Sequence, residues 1–378
     1  MSGSLHGTYA YHETLKGVYY GPGCLSTALP QLLSTLGGSK ALIVTGKSLR
    51  EKTNVVTNVE SILKGRNAFG GTFSQIGQHA PVQGIVDGTK AFEDVQADIF
   101  ISVGGGSPID ATKIMVNHLH DTRGKFFSHI AIPTTLSAAE YTSNAGYTDE
   151  QGNKVGIASP MIAPSGIILD AELTLATPEK LWLSTGLRAL DHAVESLYRP
   201  GVAPPLKVLC YAAIGDLFAY LPLAQMDPNN LDMRQRLLIA AWMSLWPMRV
   251  EKHSALGLSH SLGHKLGATY GIPHGVTSCL TLAAVVALKA GTATEVDKAA
   301  LAKALFYLGE PSTGTTVGDV MRLSSMINGL VETLGLRSNL ITYGVPREDL
   351  PKIARLAIGN TEDPLYPKIV EVLESIYE

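Results

Sequence analysis

Cysteine is scarce in this chain of 378 residues: Cys24, Cys210 and Cys279 are all there is, an odd and widely scattered set. That excludes a disulfide framework, offers no zinc-type spacing, and fits a reducing compartment. Charge is thin as well, 17% of residues, with a formal net charge of -3 and no basic run. Such a chain has no field for nucleic acid, so a small molecule is the expected partner. Between Met1 and Thr14 no charged segment is followed by an apolar one, and the longest apolar stretches elsewhere are broken by polar residues. Neither secretion nor membrane spanning is expected, and a cytoplasmic location is. Internal repeats and low-complexity segments are missing too. Apolar residues, at 45%, are plentiful, enough for a large core spread over about two domains.

From residue 17 to residue 164 short β-branched runs alternate with helical patterns, as in a parallel α/β domain. A turn at Tyr19-Tyr20-Gly21-Pro22-Gly23 leads into a Leu-rich helix ending at Leu36, and strands are expected at 41–45, 98–103 and 128–132. From about Ser165 the pattern changes. Beyond Asp170 only helices are expected, at 185–198, 205–221, 233–248, 253–270 and onward. The reading is an α/β domain over residues 1–164 followed by an all-helical domain over residues 165–378.

Three stretches carry chemistry. Gly104-Gly105-Gly106-Ser107 directly follows a strand; glycines let the backbone approach an anion, and the helix that follows offers unpaired N–H groups. Taken alone, a glycine run is better read as a tight strand-to-helix turn, and this one is not the GxGxxG fingerprint. In the stretch from Gly186 to Glu195, read as one amphipathic helix, Arg188 and His192 stand four apart on one face. Between Ser259 and Gly275, His260 and His264 are again four apart, and His274 follows Pro273 at the start of a further helix. Four imidazoles and a guanidinium can therefore converge on one cleft.

At these residues the sequence resembles the iron-containing (group III) alcohol dehydrogenase family, and within it the maleylacetate reductase branch. The family pattern is an Asp and a His four apart on one helix, then a His, a second His four later, and Pro-His-Gly. His192, His260 and His274 match three of its metal-binding positions; where the fourth, the ligand Asp, is expected, this chain has Arg188. The resemblance implies a dehydroquinate synthase-like architecture, with a dinucleotide-binding α/β domain, an all-helical catalytic domain, and the active site in the cleft between them. It identifies Gly104, Gly105, Gly106, Ser107 and Asp110, with Thr134 and Thr135 after Pro133, as dinucleotide-binding loops. It places the family's NAD-selecting Asp at Gly46. The carboxylate that would repel a 2′-phosphate is then absent, Lys47 and Ser48 can donate to that phosphate, and NADPH is expected to be accepted alongside NADH. If Gly46 is only a turn residue, the preference stays open. His79 resembles a position near the cofactor cleft in the reductase branch.

Arg188 changes the chemistry of the site. Arginine donates only and cannot ligate. A unit charge about 4 Å from a divalent cation at an effective dielectric of roughly 20 is repelled by about 8 kcal/mol. Asp191 is a poor substitute ligand, since it projects about 100° away from His192 on a helix, and a metal-free site is expected. The guanidinium can instead fork onto a substrate carboxylate or steady an enolate oxygen. The reading is a metal-independent NAD(P)H-dependent reductase of an anionic conjugated carbonyl substrate, maleylacetate-like. Arg188 anchors negative charge, and one of His192, His260, His264 and His274 is the proton donor. Other readings stand beside it. Arg188 can simply pair with Asp191 or Glu195 as a surface arrangement on its own helix. The fold can serve a non-redox lyase, isomerase or cyclase, and a metal-dependent dehydrogenase with a rearranged fourth ligand ranks last. His253 is read as structural, Cys279 as a buried helix residue, and Glu195 as packing or capping within its own helix. The helical half could form a homodimer, though nothing in the pattern requires one.

Overall fold

The computed structural model describes residues 7–9, 14–151, 154–249 and 254–378; His253, and most of the first fourteen residues, lie outside the described residues. The chain packs as two units, Met1–Pro178 with Asn229–Ile239, and Glu179–Pro228 with Ala240–Glu378.

The first unit is built on seven strands: β1 (Gly7–Tyr9), β2 (Gly17–Tyr20), β3 (Ala41–Thr45), β4 (Phe69–Phe73), β5 (Ile99–Gly104), β6 (Ser128–Pro133) and, after a separate hairpin of β7 (Asn144–Thr148) and β8 (Lys154–Ala158), β9 (Gly166–Leu169). The sheet order is β1-β2-β9-β6-β5-β3-β4, parallel throughout except for β1. Helices cover both faces, so the central strands are apolar on both sides rather than alternating. Ala41 and Ile43, with Ile99, Ile101 and Val103, pack against α1 (Leu25–Leu36) and, beyond the short α2 (Lys47–Lys52), α3 (Val55–Gly65). Leu42, Val44 and Phe100 point the other way, onto α4 (Val82–Asp94) and α5 (Gly106–Arg123).

The unit extends further along the chain than the expected boundary at residue 164. β9 pairs with β2 on one side and β6 on the other. Four residues are too few to stand out from the helical pattern that follows. Directly after β9, Asp170 accepts from the N–H groups of Gly23 (2.8 Å), Leu25 (2.9 Å) and Glu172 (3.0 Å), capping both α1 and α6 (Ala171–Thr174). Residues 229–239 complete this corner: Arg234 Nη1 donates to the Thr174 carbonyl (3.0 Å), and Gln235 Oε1 accepts from Ala171 N–H (3.2 Å).

The second unit contains no strand among the described residues. Its helices are α7 (Glu179–Tyr198), α8 (Pro204–Met226), the end of α9 (Leu231–Leu245), α10 (Leu258–Tyr270), α11 (His274–Thr292), α12 (Glu295–Ala302), α13 (Ala304–Tyr307), α14 (Thr316–Thr333), α15 (Leu350–Ile358) and α16 (Tyr366–Ser375). α8 and α11 are long and apolar enough to cross a membrane by length and composition; most of the apolar stretch of α11 is buried within the unit. α7 starts six residues before its expected position, at the Pro178 boundary, and is buried from Trp182 to Leu197 without a break. From Trp182 to Leu197 it is therefore a core helix with no solvent face, unlike the amphipathic helix expected. Each polar side chain on it must find a partner inside the protein.

Candidate active site

In the first unit the chain leaves β3 outward to β4, whereas from β5 it runs the opposite way to β6 and β9. That reversal makes the crevice at the carboxyl ends of β3 and β5 the place where an open parallel sheet accepts a ligand. Of the expected cofactor residues, Gly46 to Ser48 follow β3, Gly104 to Ser107 end β5 and open α5, where Asp110 also lies, and Thr134 and Thr135 follow the neighbouring β6. Gly46 caps α2 in extended backbone (φ -94°), and a Cβ there would lie an ordinary 3.5 Å from the Ile76 carbonyl, so its lack of a side chain is not forced by space. Lys47 and Ser48 follow it, both exposed, with Lys47 3.9 Å from Glu51.

Gly104 adopts φ +137°, which a side chain would disfavour, and a Cβ on Gly105 or Gly106 would press on Thr135 (3.2 Å) or Ser137 (3.3 Å). The glycine loop and the 134–137 loop are thus in close contact, joined by Thr134 N–H donating to the Gly104 carbonyl (2.9 Å). Thr134 and Thr135 are buried. The Ser107 hydroxyl accepts from His79 N–H (3.2 Å), in a turn where His79 and Ala80 have φ of 61° and 48°. Asp110 is partly engaged already: one oxygen is 3.4 Å from Lys113 Nζ and the other accepts from Gly146 N–H (3.4 Å).

Sequence reasoning missed Lys113 and Glu140. Lys113 is fully buried and donates to the carbonyls of Ala139 (2.6 Å) and Asn144 (2.8 Å) and to Thr142 Oγ1 (2.9 Å), fixing the segment that follows the 134–137 loop. Glu140 in that segment is fully buried, and burial pushes its carboxyl up to about 7 against the smaller opposing pull of Tyr141 and Lys113. The only sequence signal was a lysine three residues after Asp110, next to the apolar run Ile114-Met115-Val116 on α5.

In the second unit the predicted catalytic residues do come together. His192 on α7 and His260 on α10 have ring centroids 4.8 Å apart; His260 and His264 are separated by 5.4 Å, and His264 and His274 by 5.7 Å. The four rings form a row from buried His192 and His260 to half-buried His274 and exposed His264. Gly275 brings α11 against α7: a Cβ there would overlap the Ser184 backbone at 2.6 Å.

Arg188, 6% exposed, is ion-paired with Asp191 (3.6 Å) and donates from Nη1 to Ser278 Oγ (3.2 Å). Its pairing on its own helix is thus real, but in the core rather than at a surface. Asp191 also lies within the cluster, despite its different helical direction: its Oδ2 accepts from Ser259 Oγ (3.0 Å) and Ser278 Oγ (2.6 Å) and is 3.7 Å from His260 Nδ1. Glu195 caps another helix rather than its own. Its oxygens accept from the Ser259 N–H (2.8 Å) and His260 N–H (3.3 Å) at the start of α10, and from the Tyr198 hydroxyl (2.8 Å). Gly257 is required beside it, since a Cβ would come within 2.6 Å of Glu195 Oε1. Cys279 is half-buried on α11, its thiol donating to the Gly275 carbonyl and pushed up to about 12 by burial.

Burial, then neighbouring rings and Arg188, hold His192 and His260 well below the usual imidazole range, so both are neutral near pH 7. Burial and the adjacent Asp191 push Glu195 up to about 8. One guanidinium, one paired carboxylate and one carboxyl that keeps its proton leave the cluster close to neutral. Among the described residues, Asp191, Glu195 and His260 are the group that brings three ligand-type atoms within 4.8 Å of one another. Asp191 Oδ1 and His260 Nδ1 lack hydrogen-bond partners there, but the other carboxylate oxygens are engaged, and Arg188 already supplies the positive charge a metal would bring.

The sequence pattern of "Iron-containing alcohol dehydrogenase" matches residues 16–171, and that of "Fe-containing alcohol dehydrogenase family, C-terminal" matches residues 182–377. The chain is 28% identical over 359 residues to maleylacetate reductase 1 of Cupriavidus pinatubonensis, covering 95% of this chain and 93% of that one. Its structure is similar to that of maleylacetate reductase from Agrobacterium tumefaciens, with TM-score 0.79, 25% identity, and 100% and 99% of the two chains covered. An alcohol dehydrogenase from Oenococcus oeni is similar too, with TM-score 0.87, 25% identity, and 95% and 98% covered.

Proposed function

Because this chain belongs to the iron-containing alcohol dehydrogenase family, on its maleylacetate reductase-like branch, and is an oxidoreductase, we propose that it reduces an anionic conjugated keto acid, maleylacetate-like, with NAD(P)H and without a metal. The observation that carries this reading is Arg188, a guanidinium at the position of a ligand carboxylate, buried beside His192 and His260 at one end of a row of four histidines.

Iron does not suit this donor set. A cation among Asp191, Glu195 and His260 would share Asp191 with a guanidinium 3.6 Å away. The role a metal plays elsewhere, stabilising charge on the carbonyl oxygen, falls to Arg188. The loops at Gly46–Ser48, Gly104–Ser107, Asp110 and Thr134–Thr135 are assigned to the cofactor, and with no carboxylate at position 46 NADPH is taken at least as well as NADH.

When bound, the cofactor supplies a hydride to one carbon of the activated C=C. The π pair moves onto the conjugated carbonyl as an enolate, whose charge Arg188 meets with donors that no described acceptor occupies. A proton then goes to the adjacent carbon, giving the saturated keto acid. His264 is the best-placed donor in the row. It is exposed and can be reprotonated from solvent, whereas His192 and His260 are buried and neutral.

The test is turnover of maleylacetate with NADPH by the purified protein, followed by metal analysis. His264→Gln should lower kcat by about 100-fold or more, with NADPH binding by fluorescence titration unchanged. Activity that depends on stoichiometric iron or zinc would sink the metal-free mechanism.

A further inference from the structure

We propose that Asp191 and Ser278 are positioning residues for Arg188, clamping one nitrogen of its guanidinium so that the opposite edge faces the substrate anion. This rests on the reductase reading above.

The clamp is a closed triangle. Arg188 Nη1 donates to Ser278 Oγ at 3.2 Å, Ser278 Oγ donates onward to Asp191 Oδ2 at 2.6 Å, and Asp191 Oδ2 is ion-paired with Nη1 at 3.6 Å. Ser259 Oγ, 3.0 Å from the same carboxylate oxygen, holds the acceptor in place from α10. Gly263 closes the fourth side, where a Cβ would stand 3.4 Å from Nη1. Three helices thus converge on one nitrogen, and the other two are left: among the described residues Nη2 and Nε have no acceptor. Nε and Nη2 form the side-on edge of a guanidinium, two parallel donors whose spacing suits a carboxylate or a carboxylate-like enolate. A freely rotating arginine would sweep that edge over many directions; one clamped at Nη1 offers it in one.

Asp191 has a second, opposed effect. It offsets part of the charge on Arg188, which weakens attraction to any anion in the ground state while preserving alignment for the transition state. Its removal should therefore separate binding from turnover, which a merely structural residue would not do.

The experiment uses the full-length enzyme with maleylacetate and NADPH. Asp191→Asn keeps the shape and removes the charge: kcat should fall by about 10- to 100-fold as the edge loses its direction, while KM for the acid falls by about threefold or more as the offsetting charge disappears. Ser278→Ala keeps the charge and breaks the relay, so kcat should fall without any decrease in KM. NADPH affinity should be unchanged in both. A kcat within twofold of wild type in both variants would overturn the inference, as would an increase in KM for Asp191→Asn. If Asp191→Asn does not fold, Ser278→Ala decides alone, and an unchanged kcat overturns the clamp. Failure of the wild-type enzyme to reduce any conjugated keto acid would instead bring down the reductase reading, and the inference with it.

Discussion

Replacing Arg188 with methionine removes the guanidinium from a buried pair while keeping much of its aliphatic volume. Arg188 is 6% exposed and Asp191 fully buried, so solvent does little to screen them. At their 3.6 Å separation the attraction is about 4–5 kcal/mol with an effective dielectric of roughly 20. Breaking a buried pair by deleting one member typically costs about 3–5 kcal/mol, because the other charge stays behind unpaired. The expected loss for Arg188→Met is in that range. The double variant Arg188→Met with Asp191→Asn should recover most of it, since no unpaired charge remains. Denaturant unfolding followed by tryptophan fluorescence isolates the effect: Trp182, Trp242 and Trp246 all lie in the second unit, Trp182 on α7 itself. A loss below about 1 kcal/mol, or a double variant as unstable as the single one, would show that the pair is not the buried charge couple described.

Two further outcomes can be checked. Gly46→Asp has room for its Cβ and places a favoured residue at the cap of α2, so folding should be unharmed. NADPH affinity by fluorescence titration should drop about tenfold or more through repulsion of the 2′-phosphate, while NADH affinity holds or rises; equal affinities before and after would detach position 46 from cofactor choice. Glu140 has a folded pKa of about 7, raised by burial from 4.5. Its contribution is full below about pH 4.5 and is lost as pH rises through 7, amounting to about 3 kcal/mol. Glu140→Gln should therefore flatten the decline in stability between pH 5 and 8, followed by circular dichroism; an unchanged slope would contradict it.

Much of this was legible in the sequence. The histidine row could be read because spacing on a helix fixes direction, and because Pro273 starts α11 at His274. The tight turn after β5 could be read because glycine accepts the backbone that Gly104 adopts at φ 137°. What stayed hidden depends on packing in three dimensions. Asp191 projects away from His192, which on an exposed helix would send it to solvent; α7 is buried all round, so that direction leads to Ser259 and Ser278 instead. Lys113 and Glu140 are buried ionisable groups, a state composition cannot foretell. Glu195 turned out to serve the first turn of α10, a partner more than sixty positions away.

The short return of the chain at Asn229–Ile239 bears on how the protein is made. The first unit is unfinished when residue 178 leaves the ribosome: Ala171 and Thr174 still wait for Gln235 and Arg234. A further stretch of roughly fifty residues, which includes α7 with its buried arginine and paired acids, must emerge before that corner can close. During synthesis the nascent chain therefore carries α7, with ionisable side chains that end up buried, between two halves of an incomplete corner.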